Sequence, residues 1–292
     1  MQFSAITLTD LSPAEFIQTA RDAEAAGVER LWTYDHLSWR NLRNDPWFGS
    51  VPLLAAAAAT TSRIRLGPLV ATPNFRHPVP FAKEVMTLDH LSGGRIDLGI
   101  GAGTDAHDAT VLGKDELTPG GRAQRFQDWT QLLTMLLEND KVTATSGSYS
   151  ACDARMTPGC FQQPRVPLTI AATGPRSMKL AVRLGQTWVS YGHLRHPAEN
   201  GLDTWLAGLR RQSLRMADIA AEAEVDRPRA AAVIGLNNPA PYHSPAKYDD
   251  TIGRLTEAGF DDIYAHWPRA DGTGIPRNLL EHLLDRHPRQ TG

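Results

Sequence analysis

Eight short apolar runs alternate with eight helical patterns along the 292 residues, and this order predicts a single (β/α)8 TIM-barrel domain spanning residues 1–292. The runs are apolar throughout, as expected of parallel strands that are buried on both faces. The predicted strands cover residues 3–8, 30–35, 64–70, 95–101, 167–172, 186–191, 229–236 and 261–267. An open doubly wound sheet is the alternative, because periodicity does not show whether the first and last strands meet.

Each predicted strand is followed by a predicted helix with start and stop signals. Ser12 stands where an N-cap residue is expected before the first helix, and Gly93 follows the third helix as a C-terminal glycine. The predicted helices cover residues 13–26, 49–61, 78–91, 121–138, 175–184, 197–224, 244–258 and 275–284. Residues 141–167 are too polar for a core, so we expect an insertion, a hairpin, before the fifth strand.

The charge balance favours a small-molecule partner. Lys and Arg number 30 and Asp and Glu 32, a net charge of -2, so the basic surface of a nucleic-acid-binding protein is missing. No apolar stretch approaches the ~20 residues that cross a bilayer, and we expect a cytoplasmic protein without a membrane partner. Cys152 and Cys160 are expected to be free thiols, and no histidine spacing indicates a metal site.

Polar and glycine-rich residues follow the predicted strands at their C-terminal ends, where barrel enzymes carry their active sites. Asp35 and His36 end the second strand, residues 99–105 the fourth, and residues 173–177 follow the fifth. The opposite strand ends, such as residues 61–63, resemble ordinary loops. This asymmetry predicts a working site at the C-terminal edge.

Three of these features have chemical readings of their own. An ordinary imidazole, with a pKa near ~6.5, can exchange protons at neutral pH, which suits His36 to proton transfer, and Asp35 either holds its tautomer or points into the barrel wall. A histidine satisfied by a backbone carbonyl is the alternative. The glycines at 99–103 are not a dinucleotide fingerprint, because Thr104 occupies the third glycine position. Residues 173–177 open a helix whose N–H groups can bind an anion, unless it is a plain capped helix.

Three stretches resemble the luciferase-like flavin-dependent oxidoreductases, a family of (β/α)8 barrels. They are GVERLWTYDHL, RIRLGPLVATPNFRHPVPFAKEVMTLDHLSGGRIDLGIGAG and LTIAATGPRSMKLAVRLGQTWVS, and the resemblance covers residues 1–192. Members of the family bind FMN or the deazaflavin coenzyme F420, and Asp35-His36 followed by the aromatic Trp39 is similar to the F420 branch. The resemblance therefore implies an F420-dependent oxidoreductase with a small-molecule substrate. An FMN-dependent monooxygenase and a non-catalytic flavin-binding protein are the alternatives.

The resemblance also implies roles for individual residues. His36 would be the catalytic residue, and a non-proline cis peptide bond between Leu69 and Val70 would support the cofactor ring. Trp39 and Asp105 would contact the substrate. The remaining expected cofactor contacts are Asp35, Thr104, Ala172, Thr173, Gly174, Pro175, Arg176 and Ser177, of which 172–177 would receive the phosphate.

Two further expectations follow from the same resemblance. Thr104 stands where the dehydrogenases of the family often carry a glutamate acid, and this difference puts sugar oxidation in doubt. The alanine-rich residues 55–59 resemble a helix that often buries a dimer interface in the family, so a homodimer is possible.

Overall fold

A computed structural model of the protein describes residues 1–104, 107–192, 201–235 and 242–287. Its strands are β1 (Gln2–Thr7), β2 (Arg30–Thr33), β3 (Arg65–Pro68), β4 (Leu98–Gly101), β5 (Lys141–Ser146), β6 (Tyr149–Arg155), β7 (Leu168–Ala171), β8 (Thr187–Ser190), β9 (Arg229–Ile234) and β10 (Asp262–His266). Its helices are α1 (Pro13–Ala25), α2 (Ser50–Thr60), α3 (Pro78–Ser92), α4 (Pro119–Glu138), α5 (Pro175–Leu184), α6 (Gly201–Glu222), α7 (Pro245–Glu257) and α8 (Arg277–Arg286).

The strands form the (β/α)8 barrel that the sequence predicts. Eight parallel strands make one sheet in the order β3-β2-β1-β10-β9-β8-β7-β4. Parallel bridges from Leu66 to Ile96 and from Ala71 to Ile100 join β3 to β4, the first and last strands of that order. The prediction of a barrel is confirmed, and the open-sheet alternative is wrong.

The ends of the elements agree with the sequence signals in several places. Ser12 and Glu15 form a capping box at α1, in which the Glu15 N–H donates to Ser12 Oγ (3.4 Å) and the Ser12 N–H donates to Glu15 Oε2 (3.0 Å). Gly93 ends α3 in the left-handed conformation with φ of 66°. Residues 197–200 of the sixth predicted helix and residue 236 of the seventh predicted strand lie outside the described ranges.

The predicted insertion before the fifth barrel strand is a hairpin. β5 and β6 pair antiparallel as a separate two-stranded sheet, and β7, the fifth barrel strand, follows. Both cysteines of this region are free thiols, Cys152 exposed and Cys160 buried.

Contacts between residues group the chain into two compact units. One contains Met1–Thr7, Ala23–Leu31 and the described residues from 170 onward, and its core includes the stacked rings of Trp188 and Phe260 (5.6 Å). The other contains Leu8–Asp22 and the described residues of 32–169, with Trp129 stacked against Phe81 (5.7 Å) in its core. A single domain for the whole chain stays a prediction.

Two glycines let β3 and β4 approach each other closely. A Cβ on Gly99 would lie 2.2 Å from the carbonyl oxygen of Pro68, and one on Gly67 would lie 1.9 Å from that of Asp97. Any side chain at these positions would therefore push the two strands apart. Among the described residues, no helix has the length and apolar character needed to cross a membrane.

Candidate active site

The chain that continues from β2 carries side chains to two different sides. β2 ends at Thr33, two residues before the predicted boundary at Asp35. The carbonyl oxygen of Thr33 accepts a backbone hydrogen bond from the N–H of Leu69 (2.7 Å). Asp35 contacts Ser50 of α2, and it therefore faces the helices. Tyr34 and His36 alternate with it, and their rings lie 6.1 Å apart on the other side.

His36 is held by a carboxylate from the loop that follows β4. Its Nδ1 contacts Asp108 Oδ2, and Asp108 is 1% exposed. Asp108 Oδ1 accepts from the backbone N–H groups of Leu37 (2.9 Å) and Ser38 (3.4 Å). Nε2 of His36 has no hydrogen-bond partner in the described part of the chain, while 13% of the side chain is exposed. The imidazole is thus fixed on one nitrogen and open on the other.

Aromatic side chains surround the same imidazole. The ring centroid of Trp39 lies 4.3 Å from that of His36 and 5.1 Å from that of Tyr34. Trp47 Nε1 donates to the carbonyl oxygen of His36 (2.8 Å) and so fixes the backbone there. Burial raises the pKa of Tyr34 well above its ordinary value, so this phenol is neutral at physiological pH.

Asp35 lies in a buried ion pair with Arg76 and does not contact His36 through its side chain in the described structure. Of the two roles considered from the sequence, it therefore points into the barrel wall and does not hold the tautomer of His36. Arg76 binds it with two hydrogen bonds, Nε to Oδ2 (2.6 Å) and Nη2 to Oδ1 (2.7 Å), and Ser50 Oγ donates to Oδ1 (2.5 Å). Arg76 also donates to Glu84 Oε2 (2.8 Å). Burial acts to lower the pKa of Arg76, but the bonds and charges of Asp35 and Glu84 outweigh it and raise that pKa. The carboxylate that orients His36 is therefore Asp108 and not Asp35.

The ends of β3 and β4 complete this edge of the unit. The peptide bond between Leu69 and Val70 is cis, as the resemblance implied. Asn74, which is buried, accepts a hydrogen bond at Oδ1 from Arg125 Nη2 on α4. Gly103 has φ of 75°, and a Cβ there would lie 2.7 Å from Asn74 Oδ1. Thr104 is exposed, and the predicted substrate contact Asp105 lies outside the described residues.

The predicted phosphate site belongs to the other unit. Gly174 is the N-cap of α5, and it has no side-chain cap among the described residues. Thr173, Pro175 and Arg176 are exposed and Ser177 is half-buried, so the first turn is accessible. Ala172 is buried, and its carbonyl oxygen accepts from Trp188 Nε1 (2.8 Å). A phosphate at residues 172–177 stays a prediction.

Three charged residues of the site were not found from the sequence. Asp108 is separated from His36 by 72 positions, Arg76 from Asp35 by 41, and Arg125 from Asn74 by 51. The only signal for Asp108 is that it belongs to the polar loop after a barrel strand, and Asp105 shares that signal. Within the described ranges, no three His, Cys, Asp or Glu side chains converge as metal ligands.

Comparisons with known proteins agree with this barrel. An F420-dependent glucose-6-phosphate dehydrogenase of Beutenbergia cavernae is 28% identical over 94% of both chains. A 4-hydroxyprotoasukamycin monooxygenase of Streptomyces nodosus subsp. asukaensis is 34% identical over 59% of this chain, and that match spans 47% of the relative's length. The structure of an F420-dependent secondary alcohol dehydrogenase with an F420-acetone adduct has a TM-score of 0.77 at 18% identity, covering 98% of this chain and 97% of the other.

The family model described as luciferase-like monooxygenase matches residues 1–235. This match covers all of one unit and the other unit as far as residue 235, with the three quoted stretches and the histidine that follows β2. The chain belongs to the luciferase-like monooxygenase family.

Proposed function

We propose that this protein is an oxidoreductase that transfers a hydride between coenzyme F420 and an organic small-molecule substrate. The observation that carries the proposal is His36, which a buried carboxylate holds at Nδ1 and which has no described partner at Nε2. Such a histidine can take up or deliver the proton that accompanies a hydride transfer near neutral pH. The F420-dependent activities named for the Beutenbergia cavernae relative and for the alcohol dehydrogenase support the choice of cofactor.

The residues near His36 fit a flat redox ring. Trp39 offers an aromatic face beside the imidazole, and the buried phenol of Tyr34 adds no charge. When bound, F420 accepts or donates the hydride. The chain itself orients the ring and handles the proton at His36.

The other roles that the resemblance implies are part of this proposal. We expect the cofactor phosphate at the N–H groups that open α5, because a helix N-terminus attracts anions and Arg176 can add a charged donor. We do not extend the proposal to a sugar phosphate, because the hydroxyl of Thr104 is a far weaker acid than the glutamate it replaces. A cytoplasmic location and a homodimer also remain predictions.

An FMN-dependent monooxygenase is the second candidate. The monooxygenase relative from Streptomyces and the description of the family favour it. Such an enzyme would need a supply of reduced flavin and would consume oxygen. The two candidates therefore differ in cofactor preference and in their need for oxygen.

Titration of the purified protein with F420 and with FMN separates the candidates. The chain has seven tryptophans, and their fluorescence reports binding of either cofactor. We expect F420 to bind at least ~10-fold more tightly than FMN, which corresponds to about 1.4 kcal/mol. Anaerobic turnover of F420 with a panel of alcohols and carbonyl compounds should then identify the substrate class.

Two results would contradict the proposal. Tighter binding of FMN, together with oxygen consumption by the reduced complex, would establish the monooxygenase. Binding of F420 without turnover of any compound in either direction would leave a non-catalytic flavin-binding protein.

A further inference from the structure

Asp108, in the loop after β4, contacts the imidazole of His36. We propose that Asp108 is a positioning residue, which holds the His36 imidazole in the tautomer protonated at Nδ1 and leaves Nε2 as the atom that exchanges a proton. The role of that proton rests on the proposed function, whereas the tautomer itself is a property of the protein alone.

The hydrogen bonds around Asp108 determine which nitrogen carries the proton. Oδ1 accepts from the N–H groups of Leu37 and Ser38, so two donors already point at this oxygen. Oδ2 contacts Nδ1 of His36. An ionised carboxylate only accepts hydrogen bonds, and a neutral imidazole has one donor and one acceptor nitrogen. Nδ1 must therefore be the donor, and Nε2 has the lone pair.

The same bonds fix the direction of the ring. Asp108 binds the two residues that follow His36 as well as its side chain, so one buried carboxylate ties the imidazole to its own backbone. Trp47 holds the carbonyl of His36, and Trp39 packs against the ring. The imidazole has little freedom to turn over, because a 180° rotation about χ2 would replace Nδ1 with the carbon Cδ2 beside the carboxylate.

The competing carboxylate near His36 is already committed. Asp35 precedes His36 directly, but Arg76 and Ser50 bind its two oxygens. Breaking that ion pair to reach His36 would leave the Arg76 guanidinium with Glu84 as its remaining carboxylate. Among the described residues, Asp108 is thus the carboxylate in contact with His36 that can set its tautomer.

The variant Asp108→Asn tests the proposal with little change in shape. Its amide oxygen can still accept from Leu37 and Ser38, and its NH2 group then points at Nδ1 of His36. A donor at this position requires an acceptor nitrogen, so the tautomer should invert, with the proton moving to Nε2. Asp97→Asn is the matched control, because Asp97 is equally a buried carboxylate (4% exposed) but pairs with Arg65 before β4.

Nitrogen chemical shifts in protein labelled with 15N-histidine report the tautomer without any cofactor. The His36 signals are assigned by their loss in His36→Gln, and spectra are compared where the ring is neutral. We expect protonated Nδ1 in the wild type and in Asp97→Asn, and protonated Nε2 in Asp108→Asn. A wild-type ring protonated at Nε2, or an even mixture, overturns the proposal. So does an Asp108→Asn spectrum that matches the wild type.

A second variant covers the case in which Asp108→Asn does not fold. Asp108→Ser is smaller, has no carboxylate to accept from Nδ1, and should give a mixture of tautomers. Retention of the Nδ1 form in Asp108→Ser would show that another group sets the tautomer. The wild-type spectrum is decisive by itself on the first half of the proposal.

Turnover adds an independent measurement. If F420 is the cofactor, Asp108→Asn should lower kcat by roughly 100- to 10,000-fold, the scale for a misdirected acid or base, with cofactor affinity changed only a few-fold. A parallel loss of affinity and folding would indicate a merely structural residue. Failure of the wild type to turn over F420 would refute the proposed function and leave the tautomer measurement intact.

Discussion

The ion pair between Asp35 and Arg76 makes the sharpest prediction about stability. The change Arg76→Met removes the guanidinium and keeps much of the volume of the side chain. Asp35 is 2% exposed, and it would retain the hydroxyl of Ser50 on α2 as a hydrogen-bond donor. We therefore expect a large loss of stability, because an ionised carboxylate would be left buried without a counter-charge.

The size of the effect follows from the burial of the pair. Removing one partner of a buried ion pair costs about 3–5 kcal/mol, of which much is the desolvation of the group left behind. At about 2–4 °C per kcal/mol for chains of this size class, the melting temperature should fall by roughly 6–20 °C. Two bonds of 2.6 and 2.7 Å to Asp35 favour the upper half of that range.

Urea denaturation followed by circular dichroism measures the loss, with Arg227→Met as the matched control. Arg227 binds Asp261 at 2.8 Å, but both side chains are about a third exposed (34% and 35%), so this control should cost about 0–1 kcal/mol. Equal losses in the two variants would refute the argument, since they would mean that burial of Asp35 adds nothing. If Asp35 also contacts the cofactor, Asp35→Asn should weaken F420 binding at temperatures where the variant is folded.

Four further changes have defined outcomes. His36→Ala should lower turnover by roughly 100-fold or more while cofactor affinity in the fluorescence titration changes far less. Arg176→Glu should weaken cofactor binding most at low salt, and unchanged affinity there would exclude a phosphate role for that side chain. Gly103→Ala should lower the melting temperature more than Gly113→Ala, because both have positive φ (75° and 72°) but only Gly103 faces a close side chain. Burial, followed by the charge of Arg269, lowers the pKa of His266 from 6.5 to about 3. Below pH 6.5 the unfolded state therefore binds more protons than the folded state, so the free energy of unfolding falls as the pH falls. Between neutral pH and pH 5 this residue should cost the wild type about 2 kcal/mol of that free energy, a loss that urea titrations of His266→Gln should not show.

The elements that the sequence predicted well depend on local signals. Gly93 ends α3 because a left-handed residue is needed there, and Ser12 caps α1 through a bond that spans three positions. The hairpin within residues 141–167 follows from polar composition, and the cis bond at Leu69 from a stretch that resembles the family. Each of these signals lies within a few residues of the structure that it determines.

The contacts that organise the site could not be predicted, because they join residues far apart in the chain. Arg125 reaches Asn74 from α4, and Asp108 reaches His36 from beyond β4. Nothing in the residue types distinguishes Asp108 from the neighbouring Asp105 until the loop has a conformation. The role of Asp108 depends on the burial of its carboxylate, and burial is a property of the packed chain.

The position of His36 explains why its partner must come from a distant segment. Successive side chains of an extended chain point to opposite sides, and residues 34–36, which continue from β2, keep this alternation. Asp35 therefore faces α2 and binds Arg76, although it is adjacent to His36 in sequence. A carboxylate on the side of His36 has to come from another loop at the same edge, and the loop after β4 supplies Asp108. In other barrels with an Asp-His pair after a strand, we therefore expect the two side chains to point to opposite sides, with the aspartate in contact with the surrounding helices and the histidine facing the site.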